Sequence, residues 1–198
     1  MITLFHSPRT RATRFIFLLE ELAAPYEIRT VRVRKRDGTG GVDPVNPHPH
    51  GKVPAIADDG EVVFESPAIA LYLTDRFPKN GLGPQVGEPG RAAYLSWLAY
   101  YGSVLEPAIL SKFMHVDVPP VTAGWMPIEE VMRVLGAQLA RGPYLLGERV
   151  SAADVLYGTT FAMFAQGPLL PRSDLIDAYV ARVVGRPAHA RALARDSA

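Results

Sequence analysis

The chain has 198 residues, enough for one large domain or two small ones with separate cores. Hydrophobic residues make up 48% and charged residues 21%, and the net charge of +1 leaves no global field to draw in nucleic acid or an acidic membrane. The absence of cysteine excludes disulfides, thiolate metal sites and any mechanism that uses the protein's own thiol.

Residues 2–5 form a short apolar run, predicted as a buried first strand, and it breaks at His6-Ser7-Pro8. A helix is predicted from Thr10 or Arg11, with Phe15, Leu18, Leu19 and Leu22 on one stripe, and Ala23-Ala24-Pro25 ends it. Tyr26, Ile28, Val31 and Val33 suggest a second strand, which completes a βαβ unit. The basic run Arg32, Arg34, Lys35 and Arg36 reads as a solvated rim, because a nucleic-acid site wants a broader basic face. Residues 37–50 are rich in Gly, Pro and Asp and read as a loop with at most a short helix. His48 and His50 are too few ligands for a metal, so none is expected.

Residues 51–67 hold the densest signal. Residues 53–57 make one strand, Asp59-Gly60 a two-residue turn, and residues 62–64 the return strand. Glu65-Ser66-Pro67 then opens a helix to about residue 77, with Ser66 as N-cap and Pro67 at the first helical position. Pro54 sits where pairing should begin, so Val53 is predicted to turn its backbone N–H and C=O outward. Ser66 places a hydroxyl at a positive helix end, and Glu65 offers a carboxylate to an ammonium. Such a set suits a small zwitterionic peptide.

Residues 78–90 are dense in Gly and Pro and mark a boundary. The predicted organisation is therefore residues 1–78 as one domain, 79–90 as linker and 91–198 as an all-helical domain. Tyr94, Trp97, Leu98, Tyr101 and Leu105 line a long helix that Pro107 should kink, continuing to about residue 115. A second helix is predicted over 128–139. Ser151 and Asp154 stand at capping-box spacing, with Val150 and Val155 as a hydrophobic staple, before an apolar central helix to residue 164. Two further helices are predicted over 175–184 and 187–194.

Lys52-Val53-Pro54 followed by Glu65-Ser66 resembles the glutathione-binding signature of the cytosolic glutathione transferases, and the likeness extends over nearly the whole chain. It implies a thioredoxin-like N-terminal half in the order β-α-β-α-β-β-α and an all-α C-terminal half. It also implies a cis proline at Pro54, Val53 paired with the cysteinyl part of glutathione, and Glu65-Ser66 holding the γ-glutamyl end. Arg9, His50 and Lys52 join the expected binding set.

Ser7 stands where the serine classes of that family place the catalytic hydroxyl, with Thr10 as the runner-up. The run Ser7-Pro8-Arg9-Thr10-Arg11-Ala12 is similar to theta- and beta-class patterns, but Arg11 occupies the position of the beta-class cysteine. That departure removes a mixed disulfide and puts a cation near the thiol. A free thiol with a pKa near 8.5 is only about 3% ionised at pH 7, and lowering it by about two removes about 2.7 kcal/mol at the reactive atom. A hydroxyl donor, a helix start and cations are the means. Tyr101, Phe113 and Met114 are the expected electrophile contacts.

The resemblance implies a cytoplasmic homodimeric enzyme that uses glutathione as co-substrate against hydrophobic electrophiles, with no nucleic-acid or membrane partner. No apolar run approaches the roughly 18 residues of a membrane span, and the first arginines follow rather than precede the first apolar run, unlike a signal peptide. Peroxide or disulfide reduction, isomerisation and non-catalytic ligand binding on the same fold stay open.

Overall fold

A computed structural model describes residues 1–196. The first strand, β1 (Ile2–His6), is covered on both faces: Ile2 and Leu4 are fully buried on one, and Phe5 is buried on the other. Helix α1 (Thr13–Glu21) supplies much of that cover, with Phe15 to Leu19 all inaccessible. β2 (Tyr26–Thr30) runs parallel to β1, while β3 (Ala55–Asp58) pairs antiparallel with β1 and with β4 (Glu61–Phe64). The sheet order is β2-β1-β3-β4, and α2 (Ser66–Arg76) follows β4. The Asp59-Gly60 turn forms as predicted, with φ of 48° and 91° at its two central residues.

Two local expectations change. α1 starts at Thr13, later than predicted, because the Thr10 hydroxyl donates to the Ser7 carbonyl (2.6 Å) and accepts from the Ala12 N–H (3.2 Å). That side chain offers the backbone a turn in place of a helical ladder. Between β2 and β3, residues 31–54 form no helix among the described residues, so the predicted second helix of the order is replaced by turns. Pro44, Pro47 and Pro49 each lack an N–H, and Asp43 and Asn46 accept bonds from Val45 and His48 that fix non-helical turns.

The chain divides into two compact units, Gly81–Gly185 and Met1–Asn80 together with the stretch from Arg186. In the helical unit, α3 (Arg91–Tyr100) runs through a π turn (Tyr101–Leu105) into α4 (Glu106–Met114). The disturbance expected at Pro107 takes this form: the wider turn comes just before a residue that cannot donate the regular bond. α5 (Ile128–Leu139), α6 (Ala152–Phe164) and α7 (Asp174–Val184) follow. α6 is buried on nearly every side and starts from the Ser151/Asp154 capping box. No helix among the described residues is long and apolar enough to cross a membrane.

α6 and α7 approach each other closely at Gly158. A Cβ there would lie 2.6 Å from Val183 Cγ1 and 2.7 Å from Val183 Cβ. Gly158→Ala is therefore expected to lose about 1–3 kcal/mol in a urea titration, despite alanine's better helix propensity.

α8 (Pro187–Asp196) packs with the sheet unit, on α1. Arg186 grips Glu21 through two bonds of 2.7 Å, Arg191 Nε donates to Glu20 (2.7 Å), and the His189 ring meets Phe17 edge-on at 5.2 Å.

Candidate active site

Strand directions decide what meets at one end of the sheet. β1 ends at His6, opposite the start of β3, since Phe5 pairs with Ala55. Ala55 in turn pairs with Phe64 at the end of β4. The Ser7 turn, the Val53–Pro54 turn and the Glu65–Ser66 helix start therefore share one end of the sheet.

The Val53–Pro54 peptide is cis. Val53 precedes the β3 ladder, and among the described residues no protein group bonds to its backbone N–H or C=O. Its side chain packs against Phe5, Val31 and Ala55. The approach to it is fixed by Asn46, whose Nδ2 donates to the Lys52 carbonyl (3.0 Å). Gly51, at φ 60°, must be glycine: a Cβ there would come within 2.9 Å of Val42. The His50 N–H donates to His48 Nδ1 (3.1 Å), leaving the His50 ring exposed. His48 is buried against the Phe64 ring at 5.4 Å, and burial pulls its pKa down.

At the helix start, Glu65 is the N-cap and Ser66 the first helical residue, one step earlier than predicted. β4 runs to Phe64, so the chain must turn within one residue, and Glu65 does so at φ 69° and ψ 126°. That is a sparsely populated conformation for a residue with a Cβ, of the kind that clusters at ligand clamps. The Ser66 hydroxyl is thereby released from capping and has no protein partner among the described residues.

The Ser7 hydroxyl is likewise without a protein partner among the described residues, and the residue is half-buried. Thr10 differs, because its proton is committed to the Ser7 carbonyl. Arg9 and Arg11 are exposed on the same turn, and Arg9 sits at φ 58°.

Residues 7–76 match the family of glutathione S-transferase N-terminal domains. A glutathione S-transferase-like protein of Beauveria bassiana, OpS6, is 31% identical over 170 residues, 80% of this chain and 76% of its own length. The disulfide-bond oxidoreductase YfcG of Escherichia coli is 30% identical over 78% of this chain and 76% of its own. A sphingomonad glutathione S-transferase solved with glutathione superposes with a TM-score of 0.78 at 28% identity, covering 98% of both chains. This chain belongs to the glutathione S-transferase family.

In this member of the family, the three expected electrophile contacts differ in access. Tyr101 is 1% exposed, and its hydroxyl donates to Glu106 (2.5 Å) and shares a bond with Thr160 (2.8 Å), so it is held in the core of the helical unit. Phe113 is half-buried and Met114 is 58% exposed. No group of three or more His, Asp or Glu side chains among the described residues could hold a metal ion. Sequence reasoning missed two contributors. Asn46 carries the Asx-turn signal of an Asn between prolines, which could have flagged it. Asp196, whose carboxylate accepts the Arg9 N–H at 3.0 Å, carries no local signal at all.

Proposed function

We propose that the chain is an enzyme that adds the glutathione thiolate to hydrophobic electrophilic small molecules. Glutathione is the family's co-substrate, and the sphingomonad relative was solved with it. The observation that carries the reading is the uncommitted Ser7 hydroxyl at the end of the sheet that holds the unpaired Val53 backbone. Val53 pairs with the cysteinyl amide, as one more strand residue would. Glu65 takes the γ-glutamyl ammonium, and Ser66 with the start of α2 takes its carboxylate. Arg9, His50 and Lys52 face the peptide's remaining charge.

In the chemical step Ser7 donates to the sulfur, and Arg11 favours the thiolate by its field. The thiol proton goes to solvent. The sulfur pair then attacks an aromatic carbon bearing chloride, a C–S bond forms, and chloride leaves with its electron pair. Phe113 and Met114 are the accessible two of the three expected electrophile contacts.

A second reading is glutathione-dependent disulfide reduction, which the likeness to the oxidoreductase YfcG favours. There the same thiolate attacks a disulfide sulfur and expels a thiolate; a second glutathione releases oxidised glutathione. The chain's lack of cysteine leaves both steps to glutathione. Calorimetry with glutathione, followed by turnover of 1-chloro-2,4-dinitrobenzene and of a mixed disulfide, separates the readings. Binding with neither turnover would leave a non-catalytic binder.

Ser66→Ala is expected to weaken glutathione binding about tenfold while the thiol pKa stays put, because this hydroxyl serves the far end of the peptide. Calorimetry and thiolate absorbance check the two halves. The reading includes a cytoplasmic homodimer. Val62 and Phe64, each 41% exposed on β4, support a second copy covering that face. Sedimentation at micromolar concentration tests it.

A further inference from the structure

Asp196 is 5% exposed, the second of two buried polar residues placed behind the Ser7 turn, the other being His6. The Asp196 Oδ2 accepts the Arg9 N–H at 3.0 Å, and its Oδ1 accepts the Thr13 hydroxyl. One carboxylate thus ties the middle of the turn to the first residue of α1. Arg9 lies at φ 58°, a backbone state that a residue with a Cβ holds only when its surroundings impose it. The Asp196 bond is the imposing contact that the structure supplies. α8, which carries Asp196, is itself clamped on α1 through the Arg186–Glu21 and Arg191–Glu20 pairs.

His6 does not take over the carboxylate. Its Nε2 lies 3.2 Å from Asp196 Oδ1, but neither ring nitrogen is aligned for a hydrogen bond. Burial pulls the imidazole pKa down, against the opposing pull of Asp196. The turn therefore remains the main business of this side chain.

We propose that Asp196 is a positioning residue for the Ser7 turn: it holds the Arg9 peptide in its left-handed state and so aims the Ser7 hydroxyl at the sulfur. The proposal rests on the thiolate reading above and deepens it. A group that fixes the orientation of a catalytic donor acts through distance and angle, and small misplacements are costly.

The test measures the thiolate absorbance of bound glutathione against pH, with kcat/KM, in wild type, Asp196→Ala, Ser7→Ala and the double variant. Asp196→Ala is expected to raise the bound thiol's pKa by about one and cut kcat/KM about tenfold. It should add nothing further in the Ser7→Ala background. Asp196→Asn keeps an acceptor for the Arg9 N–H and should restore most of the loss. An Asp196→Ala protein with a lower melting temperature but an unmoved thiol pKa overturns the proposal, since a mere anchor for α8 would do that. If Ser7→Ala leaves the thiol pKa unmoved while Asp196→Ala raises it, Ser7 is the wrong donor and the proposal that Asp196 aims it is overturned. A wild type that takes up no glutathione removes both. Should Asp196→Ala fail to fold, Thr13→Val cuts one of the two ties. It should move the thiol pKa the same way by less, and no movement there overturns the proposal.

Discussion

Ser7→Ala is expected to raise the thiol pKa of bound glutathione by about one to two and to cut kcat/KM near neutral pH about 10- to 100-fold. A hydrogen bond to a charged acceptor is worth about 1.5–3 kcal/mol, and each 1.4 kcal/mol is a factor of ten. Ser7 fits that role because its hydroxyl has no protein partner among the described residues, whereas the Thr10 proton is held by the Ser7 carbonyl. The sign follows from which form the donor favours. A hydroxyl aimed at sulfur stabilises thiolate over thiol, so its loss raises the pKa. The deficit should be largest below the raised pKa and should fade above about pH 9, where even an unassisted thiol is mostly ionised. Arg11→Ala should give a smaller rise that shrinks with added salt, because an exposed charge acts through a screened field. Thiolate absorbance and the pH profile of kcat/KM read all of this. An identical pKa in wild type and Ser7→Ala would remove Ser7 from the chemistry.

The parts of this chain that were legible in sequence are the parts built from neighbours in sequence. Asp59-Gly60 announces its turn, because glycine and aspartate tolerate the positive φ that both positions adopt. The helix over 128–139 starts and stops where its apolar stripe does. The Ser151–Asp154 spacing marks the start of α6. Where a side chain outbid a local pattern, the reading slipped. Thr10 delays α1 by bonding its own turn, and Glu65 takes the cap from Ser66 because β4 leaves only one residue to turn in. Asp196 lies 187 residues from Arg9, and the salt bridges that bring α8 onto α1 join residues more than 160 apart. No periodicity or spacing rule reaches that far; only the folded unit brings them together.

The capping box of α6 shows how much a single carboxylate of this chain can carry without touching the chemistry. Asp154 is fully buried and accepts from the Ser151 N–H (2.8 Å), the Ser151 hydroxyl (2.8 Å), the Leu145 N–H (2.9 Å) and the Tyr179 hydroxyl (3.0 Å). Burial pushes its carboxyl pKa up, and these four donors oppose the shift. Asp154→Ala strands the donors away from water, in a core where Leu145 and Tyr179 are each 1% exposed. The expected loss is about 3–5 kcal/mol, at the severe end for one substitution, and about 10 °C or more in melting temperature. Asp154→Asn keeps one acceptor but turns an NH2 toward donors, so it should recover only part of the loss. Glutathione affinity of the folded fraction should stay at the wild-type value, since Ser7, Val53 and Ser66 all belong to the other unit. Urea unfolding paired with calorimetry on the folded protein checks both halves. A loss below about 1 kcal/mol would show that water or a rearranged loop satisfies those donors, and that α6 does not depend on its cap.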